Sequence, residues 1–177
     1  MFLPLLSDAG EKTALDGFDQ FAKQDGRIVL GITGFSGSPS PEQWLILCRE
    51  KGATGGLFEV VWKDGKRVGQ RKVFPLPGQD IPELPFVRER IRIDSDRAFA
   101  LARGAVEQRF DSAHFHLRCR ESGAEPVWML SLRNTASVEI GKVYLSAESG
   151  RILRLVGVNA DVRMETSVPL KENESGR

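Results

Sequence analysis

Apolar residues recur along this chain with two periods, and the two periods mark out its elements. Ala14, Leu15, Phe18, Phe21 and Ala22 fall at helical spacing over 13–24, with Thr13 placed to cap the start and Asp25-Gly26 to stop the helix. β-Branched residues follow over 27–35, and the Gly/Ser/Pro cluster from Ser36 to Pro41 reads as a turn. Apolar runs at 44–48 and 57–63 predict strands, and Asp64-Gly65 is the two-residue hairpin signal that turns the second into a strand over 67–74. A second helix is expected where Ala98, Leu101, Ala102, Ala105 and Val106 share one face, opened by Asp94, Ser95 and Asp96 at the positive end of its dipole. Gly104 within it costs about 1 kcal/mol relative to Ala, which predicts a close-packed neighbour.

Beyond that helix the period changes to two. Over 113–120, Phe115, Leu117 and Cys119 point one way while His114, His116 and Arg118 point the other, the pattern of a strand with one buried face. Strands follow at 127–132, 140–147 and 151–158, the last pair joined by Glu148-Ser149-Gly150. "PEQWLILCR" (41–49) aligns with "EPVWMLSLR" (125–133), setting Trp44 on Trp128 at an offset of 84. The expected fold class is therefore α+β with two tandem repeats, each one helix packed on an antiparallel sheet of three or four strands. The expected organisation is a first repeat over 1–74, a Pro-rich linker over 75–85, a second repeat over 86–163 and a flexible tail over 164–177. Four of the nine prolines fall in "FPLPGQDIPELP" (74–85), which excludes helix and central strand there.

Composition narrows the class without naming a chemistry. Forty-one per cent apolar and 28% charged residues in 177 are those of a folded globular chain. The net charge of +1 gives no reason to expect a nucleic-acid partner, and no apolar run approaches a transmembrane segment. The opening Met-Phe-Leu-Pro-Leu-Leu has no basic segment and soon meets Asp8, so it does not read as a complete export signal. The expected location is periplasmic or secreted if such a signal lies outside this sequence, and cytoplasmic otherwise. Cys48 and Cys119 lack metal-site spacing and read as small core residues, with one long-range disulfide left open for an exported chain.

The second half resembles the PepSY family and its PepSY-like relatives. The matching text is "IDSDRAFALA" (93–102), "PVWMLSLR" (126–133) and "KVYLSAESGRIL" (142–153), with Tyr144, Ala147, Gly150, Ile152 and Leu153 on the closing motif. Ser146 stands where that family usually has Asp, and Ser149 where Thr is common. The resemblance implies a fold and a bacterial binding or regulatory role toward a protease or other envelope protein, and it brings no catalytic residue. Physically, Trp128 supplies a buried anchor and Gly150 the positive φ of a tight turn.

Candidate chemistry is sparse. His114 and His116 share one strand face and could begin a metal site, but a third ligand is missing, so solvent-facing imidazoles are the expectation. Cys48 with a histidine has nothing to orient it as a nucleophile. "GITGFSGSPS" (31–40) lacks the lysine of a phosphate-binding loop and reads as a mobile hairpin loop. In "VRERIRI" (87–93), Arg88, Arg90 and Arg92 can share a strand face and, with His114 and His116, are candidate partner-binding residues, since guanidinium forks suit carboxylates. The functional expectation is a non-enzymatic binding or regulatory module for a protein partner, with no cofactor. The alternative is a small-ligand-binding protein or enzyme using a pocket between helix and sheet, lined by Trp44, Trp62 and Phe residues.

Overall fold

The computed structural model describes residues 13–52, 56–74, 84–85, 87–119 and 124–160. The expected linker over 75–85 lies outside them except for Leu84 and Pro85, as do the opening apolar residues and the tail over 164–177. The elements in chain order are α1 (Ala14–Asp25), β1 (Ile28–Gly37), β2 (Trp44–Arg49), β3 (Leu57–Lys63) and β4 (Lys66–Val73), then a 3₁₀ turn (Arg88–Arg90). After that turn come α2 (Ser95–Ala105), β5 (Ser112–Arg118), β6 (Val127–Arg133), β7 (Glu139–Ser146) and β8 (Ile152–Val156).

The expected pair of helix-on-sheet repeats is overturned by the strand order. All eight strands form one antiparallel sheet, β4-β3-β2-β1-β5-β6-β7-β8, and the described residues add two α-helices. The joint is the pairing of β1 with β5, in which Ile32 lies opposite Leu117 and Thr33 opposite His116. Both strands alternate in phase, so joining them continues one apolar face across the seam and leaves neither with a bare edge. The outermost strand β4 carries Lys66, Arg67, Arg71 and Lys72, charges that discourage further edge pairing.

One face of this sheet holds the core. Ile46, Val60, Phe115, Leu117, Trp128, Leu130, Leu132, Val143 and Leu145 are all inaccessible or nearly so. Each contributes about 1.5–3 kcal/mol by leaving water. Aromatic edges cross the seam: Phe115 meets Trp44 on one side and Trp128 on the other, with centroids 5.9 and 6.2 Å away, and Phe99 of α2 stacks on it at 6.2 Å. Phe21 of α1 meets Trp62 edge-on. Both helices therefore cover the same face.

The glycine-rich stretch 31–40 is not a hairpin loop over most of its length, because β1 continues to Gly37. A side chain at Gly34 would come within 2.5 Å of both the Trp44 ring and Pro41, so glycine there makes room for the seam's aromatics. Gly104 departs from expectation in the opposite sense, since a Cβ added to it would meet nothing within 4 Å.

The helices meet head to head. Asp94 caps α2, accepting from the Ser95 N–H at 2.6 Å, and also accepts from the Leu15 N–H of α1 at 3.2 Å. Ser95 Oγ in turn accepts from the Ala14 N–H. Two sets of orphan helix-terminal donors are thus satisfied by neighbouring side chains, with both dipoles directed at one carboxylate. Burial raises the Asp94 carboxyl above its ordinary value, opposed by hydrogen bonds from Thr13 and from the backbone N–H groups of Ser95 and Leu15.

Candidate binding surface

With both helices on one side, no element among the described residues covers the other face of the sheet, the open face. Its residues are the alternate positions of each strand: Leu45 and Leu47 on β2, Val61 on β3, His114, His116 and Arg118 on β5, Val127, Met129 and Arg133 on β6, and Lys142 and Tyr144 on β7. Half-buried Leu45, Leu47 and Val61 lie on the β2–β3 side together with Glu59 and Lys63, and cationic side chains lie on the β5–β8 side.

The histidines occupy the seam, facing outward as their alternation predicts. Thr33 Oγ1 lies 3.1 Å from His116 Nδ1. The Ser36 N–H donates to His114 Nδ1 at 2.9 Å, while Arg133 Nη1 stands 2.9 Å from Nε2. A neutral imidazole has one lone pair, so it can accept from only one of these donors, and a protonated ring can accept from neither. His114 is accordingly held below its ordinary pKa by burial and by the Arg133 charge, with Glu139 opposing. His116 is pushed down to about 4 by burial, then by Arg118, His114 and Lys142. Phe35 closes over both rings, 5.1 Å from His114 and 6.5 Å from His116, edge-on. Among the described residues no three His, Cys, Asp or Glu side chains converge as a metal site.

The arginines expected to share a strand face do not do so. Residues 88–90 form a 3₁₀ turn instead of a strand, and their guanidiniums diverge. Arg88 forks onto Asp19 of α1 at 2.7 and 2.8 Å, and Arg90 grips Glu148 in the β7–β8 turn at 2.9 and 3.2 Å. Both tie the covering layer together. Arg92 is exposed, and its backbone N–H donates to Ala147 O at 2.9 Å. Cys48 and Cys119 are buried and not joined in a disulfide, and burial raises the Cys48 thiol to about 11, which removes it as a nucleophile near neutral pH. Trp44 and Trp62 are each 3% exposed and pack against α1, and Trp62 also lines a polar hollow beside the end of that helix with Gln24, Asp25, Arg27, Lys66 and Arg67.

A hollow that neither motif nor spacing singled out lies on the open face over β5–β8. It has a volume of about 430 Å³ and a floor of Val127, Met129, Tyr144 and Leu153, with Arg118 and Arg154 among the residues that line it. Register explains its composition: Met129 sits opposite Tyr144, and Tyr144 opposite Arg154. Glu125 also lines it, with Oε1 accepting from the Ser146 hydroxyl. Ser146 Oγ in turn accepts from the N–H groups of Glu148 and Ser149 at 3.1 and 2.8 Å, organising the turn that Gly150 closes at φ 77°. The signal in the sequence was the apolar type of Val127, Met129 and Tyr144 at positions that alternate away from the core.

No family model matches this chain, and no curated protein matches it. In fold it is similar to the crystal structure of a putative lipoprotein from Clostridium difficile 630, with a TM-score of 0.54 over 85% of this chain and 94% of that one, at 7% identity. Among the described residues no helix is long and apolar enough to cross a membrane.

Proposed function

We propose that this protein is a non-enzymatic binding module of PepSY-like type, working on a protein partner in the bacterial envelope through the open face of its sheet. The observation that carries the reading is the asymmetry of the sheet: two helices cover one face, while on the other half-buried Leu45, Leu47 and Val61 are covered by no element among the described residues. Aliphatic surface of this kind stabilises a complex when a partner removes it from water. The motif text over 93–153 and the likeness in fold to a clostridial lipoprotein support the envelope setting.

The reading is tested by placing a photo-crosslinking residue at Leu47 on the open face, and at Gln20 on α1 as a control, in the native host. A discrete crosslinked protein is expected from position 47 and should vanish when Leu45→Lys is added. Crosslinks from position 20 alone, or none from position 47, would reject the open face as the working surface.

A further inference from the structure

We propose that the hollow over β5–β8 is a binding site for a small anionic amphiphile, an aliphatic chain ending in a carboxylate. The site is separate from the Leu45–Leu47 surface on which the protein-partner reading is tested. Its volume of about 430 Å³ lies within the usual range of small-molecule sites, roughly 300–1,000 Å³. The floor of Val127, Met129 and Leu153 offers aliphatic and thioether contact, and the Tyr144 ring adds a flat apolar wall. A ligand confined to that floor gains by leaving water, and Met adapts to chains of irregular shape.

The charge around this floor selects the headgroup. Arg118 and Arg154 line the hollow, and among the described residues neither is ion-paired with a carboxylate, whereas Arg27, Arg67, Arg71, Arg88 and Arg90 all are. Arg118 makes a weak contact with Met129 Sδ at 4.0 Å. Among the described lining residues the acidic one is Glu125, which is engaged by the Ser146 hydroxyl. Two guanidiniums thus outnumber one occupied carboxylate. A headgroup with two acceptor oxygens matches a guanidinium fork, and a cationic headgroup would meet repulsion.

Titration calorimetry of the full chain with decanoate, decanol and decyltrimethylammonium tests this. Decanoate should bind and shift the Met129 methyl resonance, and decanol should bind about tenfold more weakly because the charged pairing is lost. Decyltrimethylammonium should not bind. Arg118→Ala/Arg154→Ala should weaken decanoate by at least about tenfold while leaving the melting temperature unchanged. Ala124→Trp, which fills the hollow without touching the arginines, should abolish binding, and Arg133→Ala on the same face should not affect it. Equal binding of decanoate and decyltrimethylammonium, undiminished affinity in the double variant, or resonance shifts confined to the helix side would each overturn the proposal. Loss of the crosslink from position 47 leaves these outcomes unaltered, so the two readings fail separately.

Discussion

The two faces of the sheet are built from the same strands and differ in what the alternate residues are asked to do. On the covered face, Ile32, Phe115, Leu117, Trp128 and Leu130 lose nearly all contact with water and share one core with residues of α1 and α2. On the open face, Thr33, His114, His116, Met129 and Tyr144 keep part of their surface wet, with Thr33 beside His116 and the Ser36 N–H donating to His114. The first arrangement stores stability, and the second stores chemistry. A face that no element covers tolerates side chains chosen for what they meet from outside.

That difference is sharpest at Phe115 and Met129, side chains of opposite faces on adjacent strands. Phe115→Ala should destabilise by about 3–5 kcal/mol, because the ring touches Trp44, Phe99 and Trp128 and the seam cannot collapse around the cavity. Met129→Ala should stay within about 1 kcal/mol, being half-exposed. Urea midpoints at constant m-value measure both, and similar losses would erase the distinction between the faces.

The joint of the covering layer comes next. Asp94→Ala removes an acceptor shared by Ser95 of α2 and Leu15 of α1, and the expected loss is about 2 kcal/mol, larger than for an ordinary single cap. Thermal melts check it, and Asp94→Asn should restore part of the loss by keeping one acceptor oxygen. Gly104 offers a change of opposite sign: with open space around it in α2, Gly104→Ala should stabilise by about 0.5–1 kcal/mol. Gly17→Ala in α1 should not, since its Cβ would lie 3.2 Å from the Trp62 ring.

A further contrast is a pH dependence of the open face. His116 titrates near 4 in the folded chain against an ordinary 6.5, so below pH 6.5 the unfolded chain takes the proton first. Stability carried by this group is complete above about pH 6.5 and falls as pH drops toward 4. His116→Phe should flatten the urea midpoint over that window, and an unchanged slope would assign the dependence to other groups.

Much of the local structure was legible from the pattern alone. The helices over Ala14–Asp25 and Ser95–Ala105 announced themselves by period and cap, and the outward direction of His114 and His116 by alternation. The single sheet was not legible, because Ile32 and Leu117 alternate identically whether their strands lie at an edge or pair with each other. No local residue type marks a partner so far along the chain. The same holds for Arg88 and Arg90, whose carboxylates at Asp19 and Glu148 belong to distant elements. At the hollow, Met129 and Tyr144 did carry a signal, being apolar where a solvent-facing strand favours polar residues. Arg154, opposite Tyr144, becomes meaningful only once register brings it alongside them.

The pairing of β1 with β5 also sets a timetable for synthesis. Ile32 leaves the ribosome well before Leu117, its partner across the seam. At roughly 5–20 residues per second, the inner edge of β1 waits several seconds for the strand that will cover it. Throughout that interval the nascent first half presents unpaired backbone beside an apolar face, so another copy's β1 or a chaperone can compete for the place that β5 eventually takes.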